Sequence, residues 1–573
     1  MKRLSVNLLV MFSMLVMLSP LAARGATLDH ETRTLLRKIA IQDNGRVMPL
    51  DSYARKLAVQ LTGRTKWSAE RGPEGYAGLE PIDLFCVLLF EPQTLTTKQL
   101  IAEENRPFKK RVGLDETRKF FTPAEIMACR GLMSTLQSFE DRRQTDSGAP
   151  PSPDETRALD LMGALGAIAS FQRADPIAIV PRPGLETYLR AGTVSGDPGT
   201  EQVVMALAHL KAAYLAGQPM QEQARALVQA IDAAGTLDPA HASNMKLELF
   251  YNDHAPWRKT ALLYGLAIVL FGLSTLMLRK PLRIAAVLVG LGGVVEHVLG
   301  IGLRVAILDR APVSNTYESL LWMGLVGIVI GLIAQLINRG RGWYLFAGVG
   351  AAFVSVLFAG MVPLQDQTNA LPAVLRSNYW LTLHVLTIVA SYGVLAVASV
   401  LGHVYLVRNV LLGKGPKVEM AQSDPIIRQT YRTIQVGLLL LTAGTILGGV
   451  WAADSWGRFW GWDPKETWAL ISIVIYFTVL HARHIRWLKD FGLAASAVLA
   501  FTAIVWTFYG VNYVMATGLH SYGFGSGGEL WVGVWAVAEL ALLGVCWLRA
   551  RGRRQLSVVQ DHATQGAPTA ATT

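Results

Sequence analysis

Sulfur and charge are what this sequence has least of. Its three cysteines, Cys86, Cys129 and Cys546, form no CxxC pair. That argues against a thiol-redox or zinc role, and all three read as small core residues. Only 17% of the chain is charged, against roughly a quarter in soluble domains, while 51% is hydrophobic. The shortage of charge points to a membrane. The formal net charge of +11 does not bring nucleic acid back as a partner, because the basic residues sit in short loops between apolar stretches. A terminal group, Arg549, Arg551, Arg553 and Arg554, follows the last stretch in the manner of a membrane protein's cytoplasmic edge.

What is present falls into four parts. Residues 1–26 combine a basic start, an apolar run and small residues near Ala23 to Ala26, the pattern of an export signal or of an uncleaved anchor. Residues 27–257 read as an exported, mostly helical domain. "SYARKLAVQLTG" repeats apolar residues at Tyr53, Leu57 and Leu61, and "EQVVMALAHLKAAYLAG" does so at Val204, Leu207 and Leu210. A polar Pro/Ser linker, "RRQTDSGAPPSPDE", interrupts this part, which carries no nucleotide-binding or catalytic-triad motif. Residues 258–549 form a transmembrane domain, and 550–573 a basic cytoplasmic tail.

The fold class is an all-α polytopic membrane protein with about nine transmembrane helices. Apolar stretches near the roughly 20 residues a bilayer requires fall at 260–278, 281–303, 317–337, 342–362, 380–406, 433–452, 468–484, 491–512 and 530–548. In the segments around their ends, one alternating set holds seventeen Lys and Arg and the other seven. The richer set belongs in the cytoplasm. This places the N-terminal domain outside, the tail inside, and the loop 453–468 on the outer face of an inner (cytoplasmic) membrane.

That loop contains "WGRFWGWDPKETWALI", with Trp456, Trp460, Trp462 and Trp468 close together. An interfacial aromatic belt accounts for one or two tryptophans. Four, with Gly457 and Gly461 between them, suggest a platform for a flat apolar ligand. In "DPKE", Asp463, Pro464 and Glu466 have the spacing of a helix start with its capping box, a structural duty that also aims the tryptophans. The same topology brings His384, one turn into the fifth span, and His520, in the last outer loop, to this face.

"WGRFWGWDPKETWALI" resembles the signature of the WWD family of haem-handling membrane proteins, and in its "WDPKETWALI" form the CcsA (ResC) branch of cytochrome c biogenesis. "RAPVSNTYESL", "SNYWLTLHV" around His384, "YFTVLHAR" and "VNYVMATGLHSYG" around His520 are similar to that branch, and together they cover most of residues 290 to 530. "IQDNGRVMPLDSYA" and "LELFYND" resemble the segment preceding the CcsA part of fused CcsB–CcsA proteins. A large β-rich CcsB (ResB) portion is not evident, so the resemblance implies a separate CcsB-type partner.

The resemblance further implies a System II cytochrome c maturation protein. It would carry haem b across the membrane and, as a holocytochrome c synthase subunit, join its vinyl groups to the thiols of CxxCH apocytochromes c. His384 and His520 become axial ligands of one outward-facing haem, over Trp456, Trp460, Trp462, Asp463 and Trp468. His481 becomes a transmembrane haem ligand. Thirteen residues separate it from Trp468, about 20 Å at 1.5 Å per residue, so it cannot serve the outer haem. It is also close enough to the inner edge to be an interfacial residue. His297, beside Glu296, is either a further ligand or half of a structural hydrogen bond with that neighbour. His403 and His484 read as snorkelling polar groups. Two other readings stay open: haem delivery to a chaperone, against which "DPKETWALI" argues, and a non-haem transporter or scaffold.

Overall fold

The computed structural model describes residues 28–66, 72–73, 78–145, 151–173, 177–181, 187–190, 198–235, 238–277, 280–338, 342–361, 378–413, 424–515 and 529–565. The export or anchor segment 1–26 and His520 lie outside these. The chain divides into two compact units, Met1–Ser138 with Ala158–Leu249 and Phe139–Arg157 with Phe250–Thr573.

The described part of the first unit is helical around two small sheets. β1 (Ala40–Asp43) and β2 (Arg46–Pro49) form a hairpin whose Asn44–Gly45 turn has φ of 48° and 81°. Two left-handed residues give the tight turn that matches strand twist, and Asn-Gly is the pair that tolerates them. β3 (Ile101–Ala102) pairs with β4 (Phe120–Phe121), while β5 (Ala178–Val180) and β6 (Leu189–Arg190) extend the first sheet in the order β2-β1-β5-β6. Strands of two to four residues are too short for alternation to betray them in a sequence.

Tyr53, Leu57 and Leu61 are buried on the helix Leu50–Thr62, as their spacing requires. On Pro198–Leu215 the buried face runs instead through Val203, Ala206, Leu210 and Ala213, leaving Val204 exposed. The buried helix Pro81–Phe90 carries Cys86, whose thiol is pushed up by burial and so is held as an inert core group. Burial also raises the Asp51 carboxyl. Arg37 at 2.7 Å and Arg55 at 2.8 Å outweigh this and hold it below the usual carboxylate range.

In the second unit we number the long helices α1 (Pro256–Leu276), α2 (Lys280–Leu308), α3 (Thr316–Asn338), α4 (Trp343–Met361), α5 (Asn378–Tyr405), α6 (Pro425–Trp456), α7 (Pro464–His484), α8 (Asp490–Val505) and α9 (Glu529–Gln565). Each overlaps one apolar stretch of the sequence. Among the described residues, eight helices are long and apolar enough to cross a membrane, and α7 is not one of them. Its end turns hold Lys465 and Glu466 at one end and His481, Arg483 and His484 at the other. It still runs for 21 residues, about 31 Å at 1.5 Å per residue.

A stripe of glycines seats α6 against α5. A Cβ at Gly437 would meet the Leu395 side chain at 2.5 Å, and one at Gly444 the Ile388 backbone at 2.8 Å. One at Gly448 would meet the His384 ring at 2.6 Å. Positions 437, 444 and 448 thus meet 395, 388 and 384, an antiparallel register fixed by missing side chains. Without a hydrophobic drive between helices in lipid, such close approach is what packs them. α8 continues as a π-helical segment, Trp506–Met515, a form that recurs at functional sites.

Candidate functional site

The turn between α6 and α7 is built by its own polar groups. α6 stops at Gly457, whose φ of 71° is left-handed and whose N–H donates to the Ala453 carbonyl. Asp463 starts α7 by accepting from the Lys465 N–H at 2.8 Å, with Pro464 in the first turn. Glu466 reaches back to accept from the Asp463 N–H at 3.2 Å and the Gly461 N–H at 2.8 Å. The "DPKE" run is therefore a capping box that also ties down the loop before it. The Arg458 guanidinium lies where a Cβ of Gly461 would stand. Both glycines so have local reasons, where the sequence had suggested room for a flat ligand.

This turn closes one side of a cleft enclosing about 1050 Å³, open solvent at its mouth included. Ile388, Tyr392, Phe459 and Trp460 give it apolar walls, and Ser314, Lys465, Glu466 and Asn512 supply polar ones. The π-helical segment contributes Asn512, whose side-chain oxygen accepts from the Lys465 ammonium at 3.0 Å. The Trp460 indole N–H is buried and has no hydrogen-bond partner among the described residues. A buried donor left so is costly, unless a ligand accepts from it.

His384 is the one histidine among the described residues lining this cleft. Its Nδ1 lies 2.8 Å from the Gly444 carbonyl oxygen. A carbonyl only accepts, so Nδ1 carries a hydrogen, which in the neutral ring puts the lone pair on Nε2. Metal-ligating histidines are oriented in this way, with the second nitrogen donating to a backbone carbonyl. Gly448 leaves room for the ring, and Trp451, 1% exposed, stacks on it at 10° between planes and 6.2 Å between centroids. Trp456 packs edge-on against Trp451 at 4.7 Å.

The loop 313–316, another wall of the cleft, is held from behind by a buried ion pair. Arg304 Nη2 on α2 lies 2.6 Å from Glu318 Oε1 on α3, both side chains at 1% exposure or less. The other Glu318 oxygen accepts from the Ser314 N–H at 2.9 Å, and Asn315 caps α3 by accepting from the Glu318 N–H. Arg304 Nη1 donates to the Tyr251 hydroxyl at 3.0 Å. Two charges this dry persist because each is paired and hydrogen-bonded.

Of the residues singled out in the sequence, His384 and Trp460 meet in the cleft. Trp456 stands one layer behind it, on Trp451. Trp462 is 70% exposed with its ring edge-on to Trp460, and Trp468 packs on Trp506 at 5.7 Å. The four tryptophans are therefore not one plane. Asp463 is a buried cap. His481 is exposed on the far end of α7, its Nδ1 donating to the Phe477 carbonyl at 2.8 Å.

His297 is wholly buried elsewhere, donating from Nε2 to the Leu321 carbonyl at 2.9 Å and accepting from the Tyr264 hydroxyl at Nδ1. Glu296 does not pair with it but contacts His254 at 2.7 Å. His403 is no snorkelling end either, since it contacts Glu539 of α9 at 2.8 Å. Trp451, Phe459, Lys465 and the Arg304–Glu318 pair escaped the sequence reading. The glycine spacing along α6 is a signal that could have led to the packing around His384.

Comparison with known proteins bears on this same region. The cytochrome c assembly protein family matches residues 313–520, from the first residue of the cleft loop to His520. Protein NrfI of Wolinella succinogenes is 38% identical over 240 residues, 40% of this chain and 25% of that protein. The cytochrome c biogenesis protein CcsA of Synechococcus sp. (strain CC9605) is 33% identical over 244 residues, 37% of this chain and 78% of that protein. CcsA of Prochlorococcus marinus (strain MIT 9303) is 34% identical over 245 residues, with 76% of it covered. The chain belongs to the CcsA family. It is a multi-pass membrane protein with a role in cytochrome c biogenesis, and it carries an extra N-terminal segment before the part shared with CcsA. Membership implies haem and apocytochrome c as the molecules this CcsA-family protein handles.

Proposed function

We propose that the cleft is an outward-facing haem b site of a System II holocytochrome c synthase, with His384 as one axial ligand and His520 as the other. The observation that carries this reading is the His384 ring. It is fixed by Gly444 on Nδ1, backed by Trp451, and set in the wall of a cleft that the Trp-rich loop closes. The donor set suits haem: an oriented imidazole for iron, apolar walls for the ring, and the Lys465 ammonium and Trp460 N–H for its carboxylates. Trp456, Trp462, Asp463 and Trp468 then support the site through the loop, and His481 receives haem at the opposite membrane edge. His297 is left out of the ligand set, because both its nitrogens are used within the protein.

Haem supplies the electrophilic vinyl groups. Each thiol of a CxxCH apocytochrome adds across one vinyl double bond, forming C–S and C–H bonds while the S–H and π bonds break. The chain's part is to hold the vinyl edge near the thiols, so positioning carries the rate. A CcsB-type partner completes the transmembrane route. The charge asymmetry of the loops supports the N-terminal unit and the Trp-rich loop outside an inner membrane and the tail in the cytoplasm.

The test is co-expression with a CxxCH reporter, with and without a CcsB-type protein. We expect covalent haem on the reporter only with both, and a purified complex that is coloured. A colourless complex and an unmodified reporter would favour a non-haem transporter. A coloured complex that leaves the reporter unmodified would favour haem delivery to a chaperone.

A further inference from the structure

Far from the cleft, α5 meets α9 through His403 and Glu539. His403 Nδ1 lies 2.9 Å from the Ser399 carbonyl, so that nitrogen carries a hydrogen. Its Nε2 lies 2.8 Å from Glu539 Oε2. A neutral ring with its hydrogen on Nδ1 presents a lone pair at Nε2, and a carboxylate presents another. These repel. The contact needs one more proton, either on Nε2 facing a carboxylate or on Glu539 as the acid. In both forms the pair is neutral overall, and in an apolar surrounding that is the state to expect. We propose that His403 and Glu539 together form an intramembrane proton-binding site that pins α9 to α5.

The pin matters because α9 has little else to hold it. Only 11% of its apolar stretch is buried. The inward seam runs through Glu539, Leu542, Leu543, Cys546 and Ala550, three to four residues apart on one helix face, with Cys546 fully buried. Other charged groups on the elements packed here are Arg408 on the π-helical turn Leu406–Leu411 after α5, Asp424, Arg428 and Arg432 at the start of α6, Asp490 at the start of α8, and Arg549 and Arg551 on α9. Asp490 is paired with Arg483 at 2.8 Å, and Arg551 lies over the Trp547 ring. Glu539 is the charged side chain in direct contact with His403.

The sign follows from the bond. At low pH the proton is present and the seam is closed. As pH rises the proton leaves, lone pair faces carboxylate, and α9 loosens. His384 stands 19 residues earlier on α5, about 28 Å away, so this proton is distinct from any at the cleft.

Glu539→Gln separates the idea from a merely structural contact. Its amide donates to the Nε2 lone pair with no extra proton, so the seam is kept and the pH response removed. The experiment follows N-ethylmaleimide labelling of Cys546 by mass spectrometry, on the full chain in nanodiscs, from about pH 6 to 9. Taking the wild-type rate relative to Glu539→Gln at each pH cancels the thiol's own chemistry. We expect a ratio near one at pH 6 that rises about fivefold or more by pH 9, as local opening exposes the seam. A ratio that stays near one throughout, or a variant that labels faster than wild type at every pH, overturns the proposal.

Discussion

His384 and His297 are both imidazoles in long apolar helices, both beside a tryptophan, and both bonded to a backbone carbonyl of another helix. They differ in which nitrogen is given and in where the ring sits. His297 donates from Nε2, receives the Tyr264 hydroxyl at Nδ1, and is sealed by Trp257 at 5.7 Å. His384 donates from Nδ1 and sits in the wall of a cleft. The same side chain is thus a strut between α1, α2 and α3 in one region and a candidate ligand between α5 and α6 in the other. An intramembrane histidine is a functional candidate by default, and its two hydrogen-bond partners decide the matter.

The strut region should fail by losing stability. Glu318→Ala leaves the Arg304 guanidinium buried without its carboxylate, at a cost of about 3–5 kcal/mol. We expect a steep fall in folded protein by fluorescence-detected size exclusion, recovered in an Arg304→Met, Glu318→Leu double variant. Full stability in Glu318→Ala would break the strut reading. His297→Ala strands the Tyr264 hydroxyl and the Leu321 carbonyl and should cost about 1–3 kcal/mol for each group left unsatisfied. Haem per folded molecule should stay at the wild-type level, and a lost haem band would erase the contrast with His384.

The cleft region should fail by losing its ligand. Gly448→Ala pushes a methyl group into the His384 ring, and we expect haem affinity to drop about tenfold, or 1.4 kcal/mol, with little change in thermal midpoint. An unchanged affinity would mean that the ring's seat is immaterial. Asp463→Ala removes a cap and should cost about 0.5–2 kcal/mol. If haem is lost while the fold survives, Asp463 does more than start α7.

The helices were legible because a bilayer demands long apolar runs and this chain writes them out one by one. Their caps were legible too, since Asp463, Pro464 and Glu466 lie within four residues of one another. What stayed hidden depends on pairs distant in sequence. Glu318 and Arg304 are 14 residues apart across a turn, and His403 and Glu539 are 136 apart. Neither distance leaves a periodic trace. Trp451 stayed hidden for the same reason, since its contact with the His384 ring joins residues 67 apart. The Trp-rich loop carried its family resemblance plainly but not its geometry. A short spacing cannot say whether four rings share a plane, and here backbone turns at Gly457 and Trp462, both with positive φ, send them different ways.

The most direct test of the account is the spectrum of His384→Gly, purified with its CcsB-type partner after co-expression, with and without added imidazole. Removing the ring leaves a space beside Gly448 that free imidazole fits. We predict that the bis-imidazole haem signal of the wild type is lost in the variant and returns when imidazole is supplied. An unchanged low-spin signal in His384→Gly without imidazole would contradict His384 as an axial ligand.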